Sequence, residues 1–202
     1  YDLIEEVPKT VNTRVKPHGW NDTTIVIMPN INSPEKVTQF RPISLCNVIY
    51  KLVSKVITNR LKIILPDIIS LNQSAFVPGW MISDNVLLAY ELTHFLQRRR
   101  NGSVGYAALK LDMSKAYDRV EWRFLKDIMY KLGFNGGWIE LVMKCISTVR
   151  YQIKVNKDIT DVIIPERGLR QGDPLSPYLF LLCAEGFSTM LHHAEQSGKL
   201  KG

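Results

Sequence analysis

LKLDMSKAYD (Leu109–Asp118) and GLRQGDPLSPYLF (Gly168–Phe180) are the two stretches that decide how this 202-residue chain is read. The first places a carboxylate, Asp112, just after an apolar, strand-like run, Tyr106–Leu111. A carboxylate held rigidly at a strand end faces a cleft. There it can bind Mg²⁺, a hard cation that takes one or two carboxylates together with substrate phosphate oxygens. Phosphoryl transfer asks a protein mainly for metal, positioning and charge neutralisation. Taken alone, Asp112 also reads as a turn or helix-cap aspartate, and Asp118 reads better as the cap of the following helix. Lys110 alternates to the same strand face as Asp112, where it can pair with the carboxylate, meet phosphate or stand in solvent. Tyr117 follows the small Ala116. Its ring fits a core position, and it also fits the wall of a sugar pocket that rejects a 2′-hydroxyl.

The second stretch is less ordinary as pure structure. Gly168, Gly172, Pro174 and Pro177 tightly constrain one backbone path. Arg170 and Gln171 lie between the glycines, where polar side chains can be presented to a ligand. Pro177 then suits the first turn of a helix. A plain strand-to-helix turn needs fewer special positions.

Working outward, Thr23–Met28 is β-branched and apolar, a strand stopped by Pro29. Phe40–Leu45 leads into a long helical pattern carrying Val48, Leu52, Val56 and Ile64, which Pro66 ends or kinks. Asn72–Ile82 reads as a loop around Pro78-Gly79. Ser83 caps a helix from Asp84 to about Gln97, closed by the basic run Arg98–Arg100. Asp118 introduces a helix with Val120, Phe124, Ile128 and Leu132 on one face, stopped by Gly133. Gly137–Ser147 is another amphipathic helix. Tyr151–Val155 and Asp161–Ile164 read as a hairpin around 156–160. From Ser176 a long helix runs to about Gln196, with Leu179, Cys183, Phe187, Met190 and Ala194 facing inward. The expected class is α+β, with helices packed on a small antiparallel sheet.

Composition sets the frame. Hydrophobic residues make up 46% and charged ones 22%, the balance of a globular chain able to bury a core. Lys and Arg number 26 against 19 Asp and Glu, a net charge of +7. That excess suits a polyanionic partner, since each neutralised phosphate releases a counterion. Cys46, Cys145 and Cys183 are widely spaced, form no metal-ligand pattern and read as free thiols. No membrane span or signal peptide is visible. The chain starts at Tyr1 and ends on a polar tail, as if cut from something longer.

These blocks together resemble the reverse transcriptase domain of non-LTR (LINE-type) retrotransposons, in the flavour common in plant genomes. LDMSKAYDRVEW (Leu111–Trp122) is similar to that family's first palm motif, and Gly168–Phe180 to its second. FRPISLCNVIYKLVSKVITNRL (Phe40–Leu61) and NQSAFVPGWMISDN (residues 72–85) are similar to its fingers motifs. The resemblance implies a right-hand polymerase fold: a connector over 1–19, fingers over 20–105 and a partial palm over 106–202. It implies RNA-directed addition of deoxynucleotides to a primer 3′-hydroxyl, with an RNA template, a DNA primer, deoxynucleoside triphosphates and two Mg²⁺ ions. By the same resemblance, Asp112 is the metal-binding palm carboxylate and the Met113 carbonyl a second metal contact. Arg41, Tyr117, Arg170, Gln171 and Gly172 surround the nucleotide.

Three positions depart from the family pattern. Asn30 stands where a basic residue is usual, and Trp80 where arginine is usual. The third palm motif, a hairpin bearing paired aspartates, falls outside these 202 residues. One aspartate cannot clamp two ions 3.5–4 Å apart, so the fragment is expected to be inactive alone. The competing expectations are a non-catalytic retroelement remnant or nucleic-acid-binding module and, more distantly, an intron maturase-like protein.

Overall fold

The computed structural model describes residues 3–13, 19–70, 73, 81–98 and 105–200. The expected loop at Pro78-Gly79, with Trp80, and Arg99–Arg100 of the basic run lie outside these residues. Among the described residues, six α-helices and a four-stranded mixed sheet make an α+β architecture.

Strand β1 (Asp22–Pro29) is the hub of the sheet. Its Thr-Thr-Ile-Val-Ile run suits a pleated surface buried by neighbours on both sides. It pairs antiparallel with β2 (Phe40–Cys46), with Ile25 opposite Ser44, and parallel with β3 (Arg150–Val155), with Ile25 opposite Ile153. The short β4 (Asp158–Ile159) completes the order β2-β1-β3-β4.

The sheet is therefore mixed rather than antiparallel. The connection from β1 to β3 runs through most of the helices, long enough for a parallel return. The hairpin is also tighter than the sequence suggests. It turns at Asn156-Lys157, Asn156 taking φ 56°, and 161–164 contributes only a single Tyr151–Ile163 bridge.

Residues Phe40–Cys46 form an edge strand and not a lead-in to the helix. Pro42 is tolerated at an edge, and Asn47 marks the true helix start by accepting a bond from the Ile49 amide at 3.0 Å. Helix α2 (Val48–Ile68) buries Tyr50, Val53, Ile57, Leu61 and Leu65 in one stripe. Pro66 does not end it. In the last turn its missing N–H costs one bond, while Leu65 stays fully buried and its carbonyl accepts from Ile69.

Helix α1 (Leu3–Thr13) packs on α2 and buries Thr10 and Val11.

Helix α4 (Trp122–Lys131) buries Leu125 and Met129, so its inner face is rotated from the expected one, and Phe124 is 37% exposed. Asp118 does not cap it. That residue lies in a 3₁₀ turn, Tyr117–Arg119, and Glu121 precedes the helix. Gly133, at φ 83°, stops it as expected.

Helix α5 (Gly136–Ser147) buries Ile139, Val142, Cys145 and Ile146. Helix α6 (Ser176–Gln196) crosses α4 closely at Gly186, where a Cβ would stand 2.6 Å from Ile128 Cδ1. Its first half is buried, but Phe187 and Met190 are exposed.

Helix α3 (Ile82–Arg98) and the segment 105–115 behave differently. Val86, Leu87, Tyr90 and Leu92 of α3 are exposed, and so are Leu109 and Leu111. The expected strand Tyr106–Leu111 is not paired with any described strand. Phe95 meets Tyr106 edge-on, with centroids 6.2 Å apart.

Candidate active site

The two sequence blocks meet through backbone bonds. The amide of Gly168 donates to the Val120 carbonyl at 2.8 Å, and that of Leu169 donates to the Tyr117 carbonyl at 2.9 Å. The Trp122 indole donates to the Gly168 carbonyl at 2.8 Å. Gly168 is required by this approach. Its φ is 92°, and a Cβ would lie 3.3 Å from both Cα and O of Asp118.

Beyond Leu169 the loop touches the sheet. The amide of Ser44 in β2 donates to the Gln171 carbonyl at 3.0 Å. Gly172, at φ 96°, lies against the Ser44 carbonyl and Ile43.

A cleft of about 580 Å³ opens where these pieces converge, lined by Ala116, Tyr117, Gln171, Gly172, Asp173, Pro174 and Pro177. Three of the expected nucleotide residues, Tyr117, Gln171 and Gly172, thus share one cavity. The Tyr117 ring is backed by Phe180 of α6, with centroids 5.4 Å apart and planes at 58°. Burial pushes its hydroxyl above the usual tyrosine range. Arg41 is exposed on β2 and alternates to the same strand face as Ile43, the residue beside Gly172.

Arg170 is not in the lining of this cleft. It is 4% exposed and turns into the core, away from the cleft. Its guanidinium donates to Asn21 Oδ1 (2.6 Å), Thr23 Oγ1 (3.2 Å) and the Cys145 carbonyl (2.9 Å). It pairs with Asp173 at 3.1 Å and lies 3.8 Å from the Tyr50 ring centre. Burial works against its charge, but Tyr50 and Asp173 more than offset that, so its pKa is raised. Asp173 also accepts from the Tyr50 hydroxyl and, at 3.0 Å, from the Leu175 amide at the head of α6. Burial first, and then the Asp173 charge, hold the Tyr50 hydroxyl well above its usual value, so it stays protonated and donates.

Sequence reasoning missed Tyr50, Asp173, Asn21 and Thr23. One signal was readable: Asp173, three residues before Ser176, stands at a helix start and three residues from an arginine. Asn21 and Thr23 carried none.

Asp112 and Met113 lie outside the cleft lining, in the exposed segment before the turn that delivers Ala116 and Tyr117. Lys115 makes that turn at φ 52°. Among the described residues no group of three or more His, Cys, Asp or Glu could hold a metal ion. The donors at hand therefore do not fit a two-ion site.

Residues 31–199 match the model of the family described as reverse transcriptase (RNA-dependent DNA polymerase). The chain belongs to the reverse transcriptase family. It is 35% identical over 165 residues to a 149 kDa protein of transposon TX1 from Xenopus laevis, covering 82% of this chain and 12% of that one. It is 26% identical over 175 residues to the Pol polyprotein of the type-1 retrotransposable element R2 from Popillia japonica, covering 83% and 24%. It is 26% identical over 191 residues to the Pol polyprotein of element R2DM from Drosophila melanogaster, covering 88% and 17%. This reverse transcriptase chain thus spans no more than a quarter of the length of these retrotransposon relatives. Among the described residues, no helix is long and apolar enough to cross a membrane.

Proposed function

We propose that this chain is the fingers and part of the palm of a retrotransposon RNA-directed DNA polymerase. Its cleft would receive the incoming deoxynucleoside triphosphate. The observation that supports this reading is the joining of the two blocks at Gly168–Leu169, with Tyr117, Gln171 and Gly172 all in the lining of one cavity.

In this reading the Tyr117 ring, held by Phe180, walls the sugar and disfavours a 2′-hydroxyl. Gln171 and Gly172 flank the nascent base pair, and Arg41 meets the triphosphate from the neighbouring strand. Asp112 contributes one carboxylate to a divalent-metal site, with the Met113 carbonyl beside it. Mg²⁺ there would neutralise charge on the transferred phosphoryl group. Among the described residues no further carboxylates gather around Asp112. Segment 105–113 would be a palm strand, although it pairs with no strand among the described residues.

The test is primer extension on poly(rA)/oligo(dT) with Mg²⁺. A longer polymerase containing this segment should incorporate dTMP, and its Asp112→Asn variant should fall to background. Residues 1–202 alone should incorporate none. An Asp112→Asn polymerase with undiminished activity contradicts the assignment.

The exposure of Asp112, with no cluster of metal-binding side chains around it among the described residues, favours a second reading, a nucleic-acid-binding module without catalysis. With a net charge of +7, RNA affinity should fall steeply with salt. Affinity that stays flat from low to moderate salt removes the electrostatic basis of either reading.

A further inference from the structure

The Gln171–Gly172 wall of the cleft hangs on a buried polar network reaching four separate elements. Arg170 and Asp173 flank the wall in sequence and are 4% and 3% exposed. Arg170 is tied to β1 and its entry through Thr23 and Asn21. It is tied to the end of α5 through the Cys145 carbonyl, to which Asn21 also donates at 2.9 Å. Asp173 is tied to α2 through the Tyr50 hydroxyl and to the head of α6 through the Leu175 amide. Tyr50 itself is fully buried against Trp20, with ring centroids 5.4 Å apart. A buried ion pair stabilises weakly against an apolar alternative, so its use is better sought in fixing one geometry.

We infer that Tyr50, Arg170 and Asp173 form a positioning device that sets the path of the Gln171–Gly172 wall, so that Tyr50, on a helix outside the cleft, governs nucleotide affinity without touching the nucleotide. The nucleotide half of this statement rests on the function proposed above.

Two properties support it. Among the described residues, both loop residues between the charged pair are anchored outward through their backbone: the Gln171 carbonyl on Ser44, and Gly172 packed on the same strand. Their height relative to Tyr117 is therefore fixed by what holds the two flanking residues. Tyr50 is also the one member of the triad that can lose its polar atom while keeping its ring over Arg170.

The test is Tyr50→Phe, read in two ways on the same protein. Amide exchange should quicken about tenfold at Ser44 and Leu175, the loss of roughly one buried hydrogen bond. Amides of α5 such as Val142 should stay within about twofold. Equilibrium affinity for dTTP should weaken about fivefold. Thr23→Val, which removes only one Arg170 partner, should shift both readouts the same way by less, and it serves if Tyr50→Phe does not fold.

Uniform acceleration across the chain, or unchanged exchange at Ser44 and Leu175, overturns the positioning role. Unchanged dTTP affinity alongside local loosening overturns the link to the nucleotide. If the unaltered protein does not bind dTTP at all, the cleft reading fails, and the exchange data still decide whether the triad sets the loop.

Discussion

The two motif blocks are equally recognisable in the sequence and very unequal in the structure. Gly168–Phe180 is anchored at nearly every residue, by the 3₁₀ turn at Tyr117, by β2, and by a buried Arg–Asp–Tyr network. The first block is split. Its end, Tyr117–Asp118, lies against Gly168–Leu169, whereas its beginning, Leu109–Met113, is exposed, with Leu109 at 82% and Leu111 at 61%. One wall of the cleft is thus firmly held while the segment carrying Asp112 is not packed against any described strand. Motif identity reports ancestry. Whether a motif is physically finished depends on what packs against it.

The comparison can be broken at its strongest point first. Arg170→Ala leaves the Asp173 charge buried without its cation and should cost about 3–5 kcal/mol, read as a lower urea midpoint or outright failure to fold. A loss under about 1 kcal/mol would show that the network is not the anchor. Gly168→Ala should come next. It forces a side chain into φ 92° against the Asp118 backbone, where neither partner is a movable side-chain end. A loss of about 1–3 kcal/mol is expected.

Alkaline pH probes the same core. Burial pushes the Cys183 thiol and the Tyr151 hydroxyl up to about 12, from ordinary values of 9.0 and 10.0. Both hold their protons more tightly when folded. Their contribution is complete below the unfolded values and is lost as pH rises from about 9 towards 12. Stability should therefore be level near neutrality and decline above about pH 9, and Cys183→Ala should flatten the early part of that decline.

The smallest effect belongs to the unanchored half. Asp112→Asn should leave stability unchanged within about 0.5 kcal/mol. Amides of 106–113 should exchange far faster than those of Leu169 and Leu175. Protection of 106–113 equal to that of the loop would erase the distinction between the two blocks.

Much of the architecture was legible because it rests on local pattern. Helix α6, the stop at Gly133, β1 and the thiol state of the cysteines follow from periodicity, φ requirements and spacing. What escaped was decided at a distance. The parallel pairing of β1 with β3 depends on a long crossover. The strand at Phe40–Cys46 was hidden by its apolar continuity with α2, although Pro42 and Asn47 mark the change. Tyr106–Leu111 has the composition of a strand, but composition supplies no hydrogen-bonding neighbour. At the cleft, the Gly/Pro-punctuated turn that carries Gln171 and Gly172 was legible from turn chemistry. The burial of Arg170 was not, because a polar residue between two glycines looks presented to a ligand. Its partners Asn21 and Tyr50 lie some 149 and 120 residues away in the chain, the first a direct hydrogen bond.

The central claim is that the two blocks enclose one nucleotide site, and photocrosslinking tests it most directly. A photoactivatable dTTP analogue would be bound with an RNA template and DNA primer, irradiated, and the labelled peptides mapped. The account predicts label on Tyr117 or within Gln171–Pro177, competed by unmodified dTTP. Competable label confined to other surfaces, with these two segments clean, would contradict it.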